Sequence, residues 1–246
     1  MTTLLPVDAI VQTPLALDLL VVFVGAISGG LVAVVRQYDV AGVVALAIAT
    51  GIGGGMLRDV LLNQLPVSLD NPWYVATALG GATVVFFFAA TLQRMGAVVL
   101  IADALLLGLY GIVGAEKAIA NGIELLPAIL LGLITTIGGG ALRDVLTGST
   151  PEVFQKGELY AIAALAGVLV FVGLDRLDVS LTLAVVAGTA VTFATRIGAW
   201  RRGWTAPTAI AADEALLARL QTARRARGEG ETEERARRRR RYRRGA

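Results

Sequence analysis

The residues able to do chemistry in this chain are few and come as two matched sets. These are Gly53-Gly54-Gly55-Met56-Leu57-Arg58-Asp59 and Gly138-Gly139-Gly140-Ala141-Leu142-Arg143-Asp144. Three consecutive glycines in a helix interior cost about 1 kcal/mol each relative to alanine, so each run predicts a helix that bends or unwinds. An unwound gap would turn the carbonyls of one half-helix and the positive dipole end of the other toward a solute. That is the chemistry of handling an ion. Catalytic chemistry is disfavoured by what is missing: the 246 residues include no histidine and no cysteine. Imidazole bases, thiolate nucleophiles and His or Cys metal sites are therefore excluded. No nucleophile lies beside a base at helical spacing, so neither an enzyme nor a cofactor or catalytic metal is expected.

The elements that must position these sets are set by hydropathy. Apolar residues make up 56% of the chain and charged residues only 17%, the balance of a protein that lives in a bilayer. A spanning helix needs roughly 17–25 mainly apolar residues. Seven such stretches occur, near 15–35, 40–62, 73–93, 97–118, 123–147, 158–175 and 179–198. The first follows a segment with Asp8 and no Lys or Arg, and is too long for a signal-peptide core, so it reads as a retained helix. Pro72-Trp73-Tyr74 announces the third with aromatics suited to headgroup level.

Charge is distributed unevenly. Residues 1–200 hold 8 Lys+Arg against 13 Asp+Glu, a net of −5, whereas residues 201–246 hold 14 against 6, a net of +8. Basic segments stay cytoplasmic, so the tail with Arg201 and Arg202 is expected inside. Seven crossings then put the N-terminus outside, in the cell membrane. Arg36, Arg94 and Lys156 fall in the inner loops of this arrangement, and Lys117 and Arg176 in outer ones beside acidic residues. The tail's arginines, Arg237 to Arg244 around Tyr242, suit anionic lipid headgroups better than nucleic acid.

Sliding the sequence against itself registers the two glycine sets without gaps at an offset of 85 residues. The same offset lays Asp18 on Asp103, Gly29 on Gly114 and Pro66 on Pro151, so whole three-helix units are duplicated. Three is odd, and the copies must insert with opposite polarity, as in channels and transporters built from inverted repeats. The fold class expected is all-α integral membrane: two inverted three-helix repeats with glycine-broken helices two and five, plus a seventh helix. Its segments are an extracellular N-terminus over 1–14, repeats over 15–95 and 96–176, the seventh helix over 179–198, and a largely disordered basic cytoplasmic tail over 201–246.

Unwound backbone at membrane depth is tolerated where it is buried in protein or lines a water-filled cavity, so Gly53, Gly54, Gly55, Gly138, Gly139 and Gly140, with Asp59 and Asp144, are the expected pore and gating residues. The competing expectation is that the glycines only let helices pack closely; two symmetric copies, each followed by Arg-Asp, weigh against it. Two symmetric ion pairs are expected, Asp18 with Arg58 and Asp103 with Arg143, with lipid phosphate as an alternative partner for either arginine. Glu116 and Lys117 stand where the first repeat has Leu31-Val32. They could sense voltage or steer ions at a pore mouth, although a solvated helix end is the plainer expectation.

These glycine motifs, in helices two and five of a seven-helix chain, resemble the prokaryotic trimeric intracellular cation (TRIC) channels over about residues 15–200. Relatives of that family are also grouped under a duplicated membrane domain described as a glycine transporter (UPF0126-type). The resemblance implies a homotrimer with a water-filled pore in every protomer, permeable to potassium and less selectively to sodium. It also implies gating at the glycine breaks and lipid bound near them. A secondary transporter of a small solute such as glycine is the alternative. The clustering of charge toward helix ends favours the channel.

Overall fold

The computed structural model describes residues 15–155 and 159–206. In chain order its elements are α1 (Leu15–Val35), α2 (Val40–Leu61), a short α3 (Val67–Asp70), α4 (Pro72–Arg94), α5 (Gly96–Ala120), α6 (Leu125–Leu146), a 3-10 turn (Glu152–Phe154), α7 (Tyr160–Asp175) and α8 (Leu181–Arg202). The seven long helices fall on the seven expected stretches. At about 1.5 Å per residue a 22-residue helix covers roughly 33 Å, enough to cross a bilayer's hydrocarbon. Helices α1, α2, α4, α6 and α8 meet that requirement in both length and composition, and α7 is a shorter apolar helix. Helix α5 carries Asp103, Glu116 and Lys117 within its span. Helix α8 runs past the expected end at 198 to Arg202, where Gly203 closes it at φ 63°. The segment 1–14, Lys156 and the tail from 207 to 246, of which the sequence raises expectations, lie outside the described residues.

Local signals set the helix ends. Asp39 caps α2 by accepting the Gly42 N–H at 2.9 Å, and Asn71 caps α4 through the Trp73 N–H at 3.0 Å with Pro72 following. Helices α2 and α6 end alike. Asn63 and Gly148 are left-handed, and the next residues, Gln64 and Ser149, return their N–H groups to the carbonyls of Asp59 and Asp144. This is the Schellman closure, written twice at the repeat offset.

Each repeat is a three-helix bundle, α1 with α2 and α4, and α5 with α6 and α7, while α8 packs on α5 and α7. Small residues fill both interiors, Ala26, Ala47, Ala78 and Ala82 in the first and Ala115 in the cluster around Phe171 in the second, to which α8 adds Ala184. The bundles meet chiefly where α2 crosses α6. At that crossing Gly54 faces the carbonyl of Thr135 and Gly139 faces that of Thr50. As the number rises along one helix it falls along the other, so these equivalent helices run antiparallel and the repeats are inverted. Pseudo-twofold hydrogen bonds close the two ends of the seam. Gln64 Nε2 donates to Asn121 Oδ1 at 2.6 Å at one end, and Arg36 Nη2 to Ser149 Oγ at the other. Residues 36 and 121, and 64 and 149, are repeat equivalents.

The expectation of broken helices two and five is corrected here. Both glycine runs lie inside uninterrupted α-helix, in α2 and in α6. Interior departure from helical dihedrals occurs instead at Phe88 of α4 (φ −123°, ψ 17°). The physical reason is close approach. A Cβ on Gly54 or Gly139 would be driven into the facing carbonyl oxygen, and one on Gly53 or Gly138 would meet the Cδ1 of Leu142 or Leu57 at 2.6 and 2.9 Å. The cost of glycine in a helix is offset by backbone-to-backbone packing, the common use of small residues in membranes.

Gly54→Ala and Gly139→Ala should each therefore destabilise the folded protein by about 1–3 kcal/mol through overpacking of backbone atoms that cannot step aside. Gly80→Ala, which has nothing within 4 Å of its added carbon, should be neutral. Thermal unfolding in detergent micelles measures the difference.

Candidate functional site

The Arg-Asp pairs end α2 and α6, and each aspartate is a hydrogen-bond hub. Asp59 Oδ1 accepts Arg58 Nε at 2.8 Å, and its Oδ2 accepts the backbone N–H of Val67 at 3.0 Å. Asp144 Oδ1 accepts Arg143 Nε at 2.8 Å, and its Oδ2 accepts the N–H of Glu152 at 2.9 Å. Val67 and Glu152 are again repeat equivalents, each following Pro66 or Pro151 and opening the short helical turn beyond the loop. The motif thus ties a spanning helix to the turn that leads into the next one. A buried carboxylate needs such donors, since an unpaired charge in this medium is strongly penalised.

The nearest charged partner of each arginine is not the expected one. Arg58 pairs with Asp59 and Arg143 with Asp144, because the neighbouring carboxylate is within reach of the flexible arginine stem and is already held by a backbone donor. Asp18 accepts the Tyr74 hydroxyl at 2.8 Å. Asp103 shares a cavity wall with Arg143. Lys117 is no solvated helix end. Its Nζ reaches Asp59 Oδ1 at 2.8 Å with a side chain only 19% exposed, so two cations share that carboxylate. At the other hub Arg143 Nη1 donates to Ser28 Oγ at 3.2 Å, and its Nη2 lies 3.7 Å from Glu152 Oε2. Glu116 stands beside Lys117 on α5, and its expected role at a mouth rests on that place.

Beside the α2/α6 crossing lies a cavity of about 300 Å³, room for about ten waters at ~30 Å³ each. Its walls come from α1 (Ser28), α2 (Thr50, Gly54), α5 (Asp103, Tyr110) and α6 (Thr135, Gly139, Gly140, Arg143, Asp144), with Glu152, Tyr160 of α7 and Arg196 of α8. Of the expected pore residues, Gly54, Gly139, Gly140 and Asp144 line it. Gly53, Gly55, Gly138 and Asp59 do not. Glycine serves in a second way at 140, where an added carbon would meet nothing nearer than Arg143 Nη2 at 4.0 Å and open polar space lies beside the close helix contact. Three carboxylates, two guanidiniums and several hydroxyls make a wall able to replace part of an ion's hydration.

Arg196, Tyr110, Tyr160 and Glu152 were not foreseen as site residues. Arg196 is 5% exposed, and its guanidinium stacks on the Tyr160 ring at 4.9 Å. A lone arginine inside the seventh apolar stretch was the available signal, because charge within a span is costly and faces the protein interior.

This architecture is shared with known proteins. The family described as Glycine transporter matches residues 15–90 and 100–176, once per repeat. The UPF0126 inner membrane protein YadS of Escherichia coli is 32% identical over 195 residues, covering 78% of this chain and 94% of the relative. The chain belongs to the UPF0126 and TRIC family. A UPF0126 membrane protein of Deinococcus radiodurans is 38% identical over 153 residues, 61% of this chain and 71% of its own. Among solved structures, the TRIC trimeric intracellular cation channel orthologue of Rhodobacter sphaeroides is 37% identical with a TM-score of 0.71, covering 77% of this chain and 98% of that one. A structure solved to explain conductance through TRIC cation channels is 30% identical with a TM-score of 0.74, covering 80% and 97%. Like its UPF0126 and TRIC relatives, this family member is a multi-pass membrane protein with a seven-helix fold.

The two hubs differ in burial and charge load, Asp59 being 1% and Asp144 8% exposed. Asp59→Asn would strand both Arg58 and Lys117 and should cost about 3–5 kcal/mol, the penalty for leaving a buried charge without its partner. Asp144→Asn should cost visibly less, because Glu152 and Ser28 remain near Arg143. Comparing the unfolding midpoints of the two variants checks the order.

Proposed function

We propose that this family member is a monovalent-cation channel, permeable to potassium, with one pathway inside each protomer of a homotrimer. The observation that carries the reading is the polar cavity lying against the α2/α6 crossing of two inverted repeats, in a chain similar to solved TRIC cation channels. A passage at the seam of inverted repeats is where membrane proteins of this construction handle solutes. Carboxylates outnumber guanidiniums in its wall, and the body of the chain is net negative; both attract cations. Nothing in the wall has the nucleophile and base of an enzyme.

In this reading the helical glycines act by closeness: they hold α2 and α6 together with polar space beside their contact. Small shifts at that contact then contribute to gating. The basic residues at the end of α8 and in the tail orient the chain with its C-terminus in the cytoplasm and its N-terminus outside, which puts Arg143 toward the inner face and Arg58 toward the outer. The channel is expected in the cell membrane.

Purified protein in a planar bilayer under a potassium chloride gradient should give discrete unitary currents that reverse near the potassium potential. Glycine uptake into liposomes, measured beside it, should be no greater than in empty vesicles. Absence of unitary current together with saturable, gradient-driven glycine uptake would replace the channel by a secondary transporter.

A further inference from the structure

The cavity is one-sided although the frame around it is symmetric. Along the second repeat it reaches Asp103, Gly140, Arg143 and Glu152, and the last is an exposed residue that marks its mouth. The equivalents in the first repeat are Asp18, Gly55, Arg58 and Val67, and none of them lines it. Among the wall residues Tyr110 stands where this asymmetry begins. A Cβ on Gly55 would lie 2.6 Å from the Tyr110 hydroxyl, whereas the nearest atom to one on Gly140 is Arg143 Nη2 at 4.0 Å. The repeat equivalent of Tyr110 is Gly25, which also lines the cavity and carries no side chain, a Cβ there meeting the Gly51 backbone at 3.0 Å. Tyr110 thus adds bulk on one side of the duplicated frame, where its equivalent at 25 adds none.

We propose that the Tyr110 side chain is the residue that closes this passage toward the Arg58 end, so that the protein as it stands holds a vestibule entered from the Arg143 end. The inference rests on the channel reading for its consequence in ion flow, and on geometry alone for the closure. The aromatic ring occupies the position a hydrated cation would take between Gly55 and the α2/α6 crossing. Passage requires the ring to swing aside. The closure is made by one side chain, and truncating it leaves the helix seam intact, because the seam's contacts run through Gly54, Gly139, Thr50 and Thr135.

The absence of cysteine permits a direct test on the full-length protein. A single Ser28→Cys substitution puts a reporter thiol on the cavity wall. In oriented vesicles, a membrane-impermeant thiosulfonate reagent should label it from one face only. Adding Tyr110→Ala should make labelling two-sided, and Tyr110→Leu, which keeps apolar bulk without reaching Gly55, should do the same if the alanine variant folds poorly. In planar bilayers either variant should raise potassium current several-fold over the parent at equal protein. One-sided labelling in both folded variants overturns the closure, and if the parent still conducts, the channel reading survives without it. Two-sided labelling with no current from any variant upholds the closure and removes the channel reading instead.

Discussion

The contact on which the rest of this structure depends is the crossing of α2 over α6, where Gly54 and Gly139 meet the carbonyls of Thr135 and Thr50. Helices in lipid gain little from hiding apolar surface against one another, so their association relies on close packing and hydrogen bonds. Glycine supplies the closeness. At this crossing it brings two backbones together at mid-span, and the inverted geometry sends the Arg-Asp end of each helix to an opposite end of the molecule. The cavity lies against the same crossing, with Gly54 and Gly139 in its wall.

The second constraint is charge. An arginine and an aspartate near the end of every glycine helix would be a liability if either were left alone, and the structure answers by giving each aspartate at least two donors. One is the adjacent guanidinium. The other is a backbone amide eight residues on, the first of a short helical turn. The motif therefore acts as a covalently adjacent ion pair that also fastens a loop. Lys117 adds a bond from the second repeat to the first repeat's hub, and Arg36 adds one from the first repeat to the loop after α6, through the Thr147 carbonyl at 3.0 Å.

Much of the fold could be read from residue order. Hydropathy located seven spans within a few residues, and the 85-residue offset implied the inverted bundles, because duplication and length are properties of the chain. The state of the glycine runs was not legible. Intrinsic cost argues for unwinding, and what overrides it is a partner backbone at close range that no local pattern reveals. The full partner set of Asp59 was not legible for a related reason. Sequence spacing brought Asp18 toward Arg58, yet the donors that stabilise Asp59 come from Val67 and Lys117, one across a loop and one from the other repeat. Tyr110 and Arg196 were overlooked because each is a single residue in an apolar helix with no counterpart in the duplicated pattern.

Those two residues point to how the halves divide their work. Positions that repeat at the offset, the glycines, the Arg-Asp pairs, the prolines and the left-handed closures, all build or fasten the frame. Some positions that break it stand in the cavity wall, tyrosine at 110 against glycine at 25 and Arg196 from a helix that has no repeat equivalent, and lysine at 117 against valine at 32 reaches the Asp59 hub. A symmetric passage would present the same chemistry at both ends and could not favour one side. Duplication supplies a pair of stable bundles whose seam is forced to the middle of the membrane. A few later departures from that symmetry are then enough to make the two ends unlike, and they cost little stability because the seam is held elsewhere.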